Sequence, residues 1–273
     1  MRLDSGSIRQ ALNNATAEKL AVLEVFDEID STNTYLMHKP APQPGKIRVA
    51  VTDNQTAGRG RHGRTWQSPP GSGICLSMAY CFASSPANLP ALTLAIGIGT
   101  LASLKSLGVN RVQLKWPNDL IMSDGKLGGI LTEAQAQSGG AVMVVTGLGL
   151  NIDMSAQPEL LADTTWARPV IDLQSRPVEL PARNAIAASL IEALCKVMVV
   201  YERDGFAQFS REWQDHDWLF GKAVTVETGE RRSSGIAAGV SDDGALLIDT
   251  QEAGVFKITS GTVQTETLEE RAS

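Results

Sequence analysis

Two stretches of the chain have the apolar pattern of helices. Residues 89–108, LPALTLAIGIGTLASLKSLG, are apolar nearly all round, which predicts a helix buried on every side. Residues 182–205 repeat apolar side chains at helical spacing and end at Gly205, and glycine commonly follows the last turn of a helix. Weaker and more polar helical patterns cover residues 4–20 and 206–220.

Strands are predicted where apolar and β-branched residues alternate or run together between turn residues. The clearest case is 119–135, which reads as two strands joined by a turn at 123–125. Ser31 or Thr32 is a suitable N-cap for a short helix that ends near His38. The other predicted strands are residues 22–29, 47–53, 72–82, 112–117 and 141–153, and a polar, proline-bearing segment covers about 154–183.

The pattern changes after Gly221 to short strands separated by turns, which is typical of a small β-barrel. We place a domain boundary near residue 218, so that 1–218 form the larger domain and 219–273 the smaller one. The whole pattern predicts an α+β fold with a mixed central β-sheet, packed helices and a C-terminal barrel. The barrel strands are predicted at 223–227, 233–240, 245–250 and 255–264, with turns at 227–229, 242–244 and 252–254.

Composition narrows the functional classes. Hydrophobic residues make up 43% of the 273 residues and charged residues 20%, which excludes an acidic disordered protein. The net charge is −6 and the pI is about 5.2, whereas generic nucleic-acid binders are normally basic. Any positively charged site in this chain must therefore be local.

Cysteine use and the N-terminus point to the cytoplasm. Cys75, Cys81 and Cys195 are odd in number and form no CxxC pair, which favours a reducing compartment over a disulfide framework. We expect Cys75 and Cys81 to be buried on one face of a strand. The three histidines lack zinc-site spacing. The N-terminus has no signal pattern, and no apolar run reaches about 18 residues without polar interruption. We therefore expect a cytoplasmic protein that does not enter a membrane.

The stretch Gly97–Ala102 fits a GxGxxA dinucleotide pattern, but its context is wrong. That fingerprint requires a strand before it and a helix that begins at it. Here the glycines lie inside the apolar helix predicted at 89–108. Tight helix packing is the favoured interpretation.

The stretch GRGRHGRTW, residues 58–66, is the densest candidate for chemistry. Guanidinium groups of Arg59, Arg61 and Arg64 match carboxylates and phosphates, and the interleaved glycines let the backbone approach an anion. Trp66 can stack on a base or ring. A solvated basic loop, a nucleic-acid arm and a site for a small anion all remain open on these residues alone.

Two further clusters favour a small-molecule site. KWPND, residues 115–119, ends a predicted strand, although Pro-Asn-Asp is also ordinary turn chemistry. GKLGGIL, residues 125–131, places Gly128 and Gly129 inside a strand, which suggests that another group approaches the backbone there. Lys126 precedes them, and a lone lysine beside a turn is normally solvent-facing.

Together these motifs resemble those of the biotin protein ligases. GRGRHGRTW is similar to the family's GRGRxGRxW loop, and KWPND and GKLGGIL are similar to its next two motifs, in the same order. DSTN, TDNQTAGRGR and GLGLNI, which begin at residues 30, 52 and 147, fit as well. The resemblance covers about residues 22–268 and implies a catalytic core like that of class II synthetases plus an SH3-like C-terminal barrel.

The resemblance implies a two-step reaction. The carboxylate of biotin attacks the α-phosphate of ATP, which forms biotinyl-adenylate, and a lysine of a biotin carboxyl carrier protein then attacks the adenylate. Both reactants of the first step are anions, so positive charge is required between them. Mg²⁺ is expected to enter with ATP, bound mostly by phosphates, without a dedicated protein metal site.

The resemblance also assigns residues. Lys126, Arg61 and Asp119 are the expected catalytic residues, with Asp119 either orienting or deprotonating the acceptor amine or pairing with a loop arginine. The expected biotin-binding residues are Ser31, Thr32, Asn33, Gln55, Arg59, Gly60, Arg61, Lys126, Gly128 and Gly129. The expected ATP-binding residues are Arg64, Trp66, Lys115, Asn118 and Asn151.

Several alternatives and expectations accompany this interpretation. A lipoate or octanoate ligase or transferase of related fold is the first alternative, and a non-catalytic nucleic-acid or metabolite-binding module is the second. Some members of the family repress transcription through an N-terminal winged helix, and about 20 residues before the core are too few for one. We expect a monofunctional ligase that binds no nucleic acid and is a monomer or weak homodimer. Residues 54–66 are expected to be mobile until ligand closes them.

Overall fold

The computed structural model describes residues 2–161, 169–175, 179–250 and 254–265. Its larger sheet has the strand order β1-β2-β3-β7-β6-β5-β4, with β1 and β2 parallel and the other neighbours antiparallel. This mixed sheet confirms the predicted α+β class. The strands are β1 Leu20–Val25, β2 Ile47–Thr52, β3 Gly73–Phe82, β4 Val112–Lys115, β5 Asp119–Met122, β6 Gly125–Ala136 and β7 Val142–Asn151.

Strand β3, the third in this order, corresponds to the strand predicted at 72–82. β3 is buried along its whole length and pairs with β2 on one side and β7 on the other. β5 and β6 form the predicted hairpin, in which Ser123 and Asp124 both have positive φ, at 47° and 61°. A two-residue turn with positive φ at both positions matches the twist of the strands that it joins. The prediction of strand 22–29 was too long, because the polar residues after Phe26 bend away from β2 and only Ile29 forms a further bridge.

Helices cover the sheet. They are α1 Ser5–Ala11, α2 Asn14–Lys19, α3 Thr32–Met37, α4 Leu92–Ser106, α5 Pro158–Leu161, α6 Arg183–Asp204 and α7 Ala207–His216. Ser31 is the N-cap of α3, as predicted, because its side chain accepts a hydrogen bond from Thr34 N. α5 lies within the predicted polar segment, of which residues 162–168 and 176–178 are outside the described residues.

The two apolar helices are core elements. Leu89–Ser106 and Arg183–Asp204 are long and apolar enough to cross a membrane by length and composition, yet 67% and 61% of their apolar windows are buried inside the protein. Within α4, a Cβ on Gly97 would lie 3.1 Å from Leu114 Cδ2, and one on Gly99 would collide with Val197 of α6. The GxGxxA stretch therefore serves close helix packing, as expected.

The C-terminal strands form a second, antiparallel sheet in the order β11-β10-β9-β8-β12. The predicted strand 255–264 is divided into two strands around Gly261, so that β12 crosses over and pairs with β8. The predicted turn at 242–244 is present, whereas most of the turn at 252–254 lies outside the described residues. The strands are β8 Ala223–Thr228, β9 Arg231–Val240, β10 Leu246–Thr250, β11 Gly254–Ile258 and β12 Thr262–Thr265.

The second sheet packs directly on the first part of the chain. The indole Nε1 of Trp116 donates a hydrogen bond to Gly244 O at 3.0 Å, and the backbone of Trp218 donates to Leu114 O at 2.8 Å. The apolar core runs without interruption from the large sheet to Val226 and Leu246. The division at residue 218 stays a prediction.

Candidate active site

A cavity of about 550 Å³ lies between the large sheet, the arginine loop and strand β12. We use the name arginine loop for residues 54–66. Of the sixteen site residues predicted from the sequence, the fourteen that line this cavity are Ser31, Thr32, Asn33, Gln55, Arg59, Gly60, Arg61, Arg64, Trp66, Lys115, Asn118, Asp119, Lys126 and Gly129.

The arginine loop is folded back on itself. Trp66 N donates to Gly58 O at 2.9 Å, and Gly60 N donates to Arg64 O at 2.7 Å. Between these two hydrogen bonds, residues 61–63 form a tight turn in which His62 and Gly63 have positive φ, at 55° and 73°. The glycine density of the loop predicts an irregular segment, but backbone hydrogen bonds between its two arms give it the form of a small hairpin.

The three loop arginines have different surroundings. Arg59 forms a bidentate pair with Glu133 of β6, at 2.8 and 3.1 Å. Arg61 Nη1 donates to Asn118 Oδ1 at 3.4 Å, and Arg64 Nη2 donates to Thr262 Oγ1 at 3.5 Å. Burial lowers the pKa of Arg61, although Asp119 opposes this effect. An arginine retains its charge under such shifts, so the loop carries positive charge into the cavity.

Lys126 lies in the cavity wall. Its Nζ is 2.8 Å from Asp119 Oδ1, and the two side chains are only 15% and 21% exposed. The same ammonium lies 5.9 Å from the ring centroid of Trp66. The hairpin β5–β6 brings Lys126 and Asp119 together diagonally, because Lys126 pairs with Ile121, which lies two positions along β5 from Asp119. In this structure Asp119 therefore pairs with a lysine rather than with a loop arginine.

The KWPND turn positions Asn118 through its backbone and its amide. Asn118 Nδ2 donates to Ile130 O at 2.8 Å, and Ile130 N donates back to Asn118 O at 2.9 Å. With Nδ2 engaged on β6, Oδ1 faces Arg61. Lys115, at the end of β4, is only 8% exposed and lines the same cavity.

A buried polar network forms the other end of the cavity. Gln55 Oε1 accepts hydrogen bonds from Thr32 N at 2.9 Å and Thr32 Oγ1 at 3.1 Å. Ser77 Oγ lies 2.7 Å from Thr32 Oγ1 and 2.6 Å from Asn33 Oδ1. Sequence reasoning missed Ser77, which lies in a strand that reads only as an apolar core strand.

Two glycines of β7 make this arrangement sterically feasible. A Cβ on Gly147 would collide with Asn33 Oδ1, and one on Gly149 would collide with the indole of Trp66. The motif GLGLNI was recognised in the sequence, but only Asn151 was assigned from it. The alternation of glycines along one strand face was the signal that could have found both.

Two predicted site residues lie elsewhere. A Cβ on Gly128 would lie 2.6 Å from Gly149 O and 2.9 Å from Leu120 Cδ1, so Gly128 serves packing within the sheet, whereas Gly129 faces Lys126 and Trp66. Asn151 Nδ2 donates to Ile171 O at 2.9 Å and lines a small adjoining pocket of about 30 Å³. That pocket is also lined by Trp66, Gln67, Lys126, Met154, Leu160 and Val170.

The C-terminal sheet closes the cavity on the side of Arg64. Gly261, Thr262, Val263 and Gln264 line it. No feature of the short barrel strands indicated this role, because the contact depends on how β12 packs against the arginine loop.

The cysteines are structural. All three are buried, as expected for Cys75 and Cys81. Cys75 lines the cavity, where burial raises the pKa of its thiol to about 11 and holds it as an unreactive thiol. Within the described residues, no group of three or more His, Cys, Asp or Glu side chains is arranged to hold a metal ion.

Comparison with known proteins gives consistent matches along the chain. Residues 25–151 match the Biotin/lipoate A/B protein ligase family, and residues 219–264 match the Biotin protein ligase C terminal domain. The Bifunctional ligase/repressor BirA of Escherichia coli (strain K12) is 35% identical over 252 residues, which cover 91% of this chain and 74% of BirA. The Biotin--[acetyl-CoA-carboxylase] ligase of Mycobacterium tuberculosis is 33% identical over 253 residues, which cover 90% of each chain.

Solved structures agree in fold. The biotin protein ligase of Aquifex aeolicus in complex with biotin and ATP has a TM-score of 0.73 and 26% identity, covering 90% of this chain and 99% of that chain. A point mutant of the Aquifex aeolicus ligase in complex with biotin has a TM-score of 0.73 and 27% identity, covering 89% of this chain and 97% of that chain.

Proposed function

This chain belongs to the biotin protein ligase family, and we propose that it joins biotin to a lysine of a biotin carboxyl carrier protein at the expense of ATP. The reaction has two steps. The biotin carboxylate attacks the α-phosphate and pyrophosphate leaves, and the acceptor amine then attacks the acyl carbon of biotinyl-AMP and AMP leaves. The cavity supplies a polar end, a cationic middle and a ring-binding wall in one continuous space.

The buried polar network is the observation that carries the proposal. Thr32, Asn33, Gln55 and Ser77 present hydroxyl and amide groups that can both donate and accept hydrogen bonds. A cyclic urea has one carbonyl and two N–H groups and satisfies such a surface. The dithiolane of lipoate lacks these groups and would leave the remaining hydrogen-bonding capacity of the network unsatisfied, which costs binding free energy. The network therefore favours biotin over the lipoate alternative.

The first step requires positive charge between two anions. Arg61 and Lys126 both line the cavity, one on the arginine loop and one on β6. We assign them to the reacting carboxylate and α-phosphate, where fixed charges in a partly buried site stabilise the charge that develops in the transition state. Asn118 holds Arg61 toward this point.

The nucleotide occupies the remaining wall in this proposal. Trp66 packs on adenine, with Arg64, Lys115 and Asn118 toward the phosphates. Asn151 supports this end by holding the segment around Ile171 against β6. Mg²⁺ enters with ATP and is bound by phosphate oxygens, since the described side chains form no cage for it.

Asp119 is the candidate for the second step. Its carboxylate pairs with Lys126 in the structure, which places both at one point of the cavity wall. We propose that Asp119 orients the incoming amine and accepts its proton as the amide bond forms. Repulsion between the Lys126 ammonium and a cationic acceptor lysine favours the neutral amine, which is the form that attacks the acyl carbon.

The remaining assignments concern the whole protein. We propose two domains, 1–218 and 219–273, in a cytoplasmic ligase that binds neither nucleic acid nor membrane. We propose that it is a monomer or a weak homodimer, in which the edge strand β1 of the large sheet is available for pairing between subunits. Light scattering across a concentration series tests the last point.

Mass spectrometry of a carrier domain tests the function directly. The protein is incubated with a biotin carboxyl carrier domain, biotin and Mg-ATP, and the expected result is one added biotinyl group on one lysine. A parallel reaction contains lipoate in place of biotin. Modification by lipoate, or no modification by biotin, would refute the proposal.

A further inference from the structure

Glu133 is a strand residue that the reaction above does not use. It lies on β6, seven residues after Lys126, and its side chain is 23% exposed. It is not among the described residues that line the cavity. Its carboxylate nevertheless contacts two residues that do, Arg59 and Asn33.

The carboxylate accepts three hydrogen bonds with two oxygens. Oε1 accepts from Arg59 Nη2 at 2.8 Å. Oε2 accepts from Arg59 Nη1 at 3.1 Å and from Asn33 Nδ2 at 3.0 Å. A fork of this kind fixes the plane of the guanidinium as well as its position. Glu133 thereby joins the first arginine of the arginine loop to the N-terminus of α3.

The contact with Asn33 determines which way its amide points. The two N–H groups of Asn33 are directed to Glu133 Oε2 and to Leu131 O, at 3.0 and 3.2 Å. Oδ1 is therefore turned to Ser77 Oγ, at 2.6 Å, at the polar end of the cavity. Reversal of the amide would set N–H groups against the Ser77 hydroxyl and leave Oδ1 facing the carboxylate, where two acceptors repel.

From this geometry we infer that Glu133 is a positioning residue for biotin: it orients the Asn33 amide and holds Arg59 over the ureido end without contacting the ligand. The inference rests on the proposed function. It predicts that the negative charge of Glu133 acts on biotin affinity and not on the chemistry of adenylation. The ATP end of the cavity, around Trp66 and Lys115, is supported by other contacts.

Glu133→Gln is the informative substitution. A carboxamide has one acceptor oxygen and one NH₂ group, so it cannot accept all three hydrogen bonds: with its oxygen in the place of Oε2, its NH₂ group faces Arg59 Nη2, and two donors repel. Loss of one charge-assisted hydrogen bond predicts a rise of roughly tenfold in the Kd and KM for biotin. The Kd for ATP and the kcat of biotin-dependent pyrophosphate exchange at saturating biotin should stay within about twofold of wild type, because the groups at the phosphate are untouched.

A matched control exists in the same chain. Asp204, at the end of α6, is also 23% exposed and forms a bidentate pair with Arg203. Asp204→Asn should leave both substrate affinities unchanged while removing a comparable carboxylate. Titration calorimetry with biotin and with ATP, and thermal unfolding of each variant, provide the measurements.

The outcomes separate the two proposals. If the wild-type protein neither binds biotin nor exchanges pyrophosphate with it, the proposed function fails. If the wild type does both and E133Q binds biotin equally well, or loses biotin and ATP affinity alike, the positioning role is overturned. Should E133Q not fold, E133D replaces it: Asp keeps the charge on a shorter arm, so a biotin Kd raised a few-fold supports the role and an unchanged Kd overturns it.

Discussion

Two regions of the cavity, the polar end and the cationic side, are built in different ways. At the polar end, Ser77 and Asn33 are joined at 2.6 Å, and both are less than 5% exposed. At the cationic side, the hydrogen bonds from the side chains of Arg61 and Arg64 to Asn118 and Thr262 measure 3.4 and 3.5 Å, and Arg64 is exposed. Short buried hydrogen bonds hold a fixed shape, whereas long ones between partly exposed groups are easily exchanged.

This difference in rigidity suggests how one cavity can serve both steps of the proposed reaction, adenylation and transfer to lysine. The part of biotin that does not react needs one constant environment, so a rigid polar end suits it. The reacting centre changes from a carboxylate and a triphosphate to a mixed anhydride and then to an amide. The arginines of a hairpin-like loop can move as the reacting groups change, while Lys126 on the sheet stays in place and supplies a fixed positive charge.

The largest expected effect comes from removing the fixed positive charge of Lys126. Lys126→Ala should slow adenylate formation by about a hundredfold, because a fixed charge at the developing transition state is lost. Pyrophosphate release measures this step. Lys46→Ala is the control, because Lys46 Nζ donates to Glu18 O at 2.8 Å and its side chain does not line the cavity. Release at the wild-type rate would remove Lys126 from the reaction.

The polar end of the cavity and the region around Trp66 can be disrupted separately by substituting two glycines of β7. Gly147→Ala pushes a methyl group into Asn33 and should raise the Kd for biotin by roughly tenfold or more, with little change for ATP. Gly149→Ala pushes a methyl group into Trp66 and should raise the Kd for ATP, with little change in the Kd for biotin. Calorimetry with each ligand measures both, and each variant is the control of the other. Equal losses for both ligands in either variant would show that the two ends are not independent.

Arg61 tests whether the cationic side also retains the intermediate. Arg61→Gly should still form biotinyl-AMP, because Lys126 and Asn118 remain, but should release it about tenfold faster. The escaping acyl-adenylate would label lysines of a bystander such as serum albumin. Arg231→Gly on the C-terminal sheet is the control. A variant that is slow but leaks no more than wild type would leave Arg61 as binding charge alone.

The smallest effect concerns the motion of the arginine loop. If the loop closes on ligand, biotin with ATP should reduce trypsin cleavage after Arg59, Arg61 and Arg64 by several-fold, since cleavage follows the open population. Cleavage after Arg231 and Arg232, the exposed first two residues of β9, is an internal reference that should not change. Equal cleavage of the loop with and without ligands would indicate a loop that is already closed.

Local sequence was sufficient for most elements of the fold. Apolar periodicity predicted α4 and α6, and the β5–β6 turn followed from Ser123–Asp124–Gly125, because these signals act over a few neighbouring residues. The strand 255–264 was predicted as one element and is two, since its division depends on the pairing of β12 with β8. Strand order in both sheets could not be predicted from local sequence, because it also depends on pairing between strands that are distant along the chain.

The same distinction between local sequence and tertiary structure applies to the candidate active site. Through their resemblance to the motifs of the biotin protein ligases, GRGRHGRTW, KWPND and GKLGGIL predicted an anion site with a reactive lysine, and fourteen of the sixteen named residues line one cavity. Only the tertiary structure decided that Asp119 pairs with Lys126, that Glu133 holds Arg59 and Asn33, and that β12 closes the wall. Such pairings join residues up to about 200 positions apart, as Arg64 and Thr262 are, and they depend on strand register and sheet packing, which no local pattern of side chains encodes.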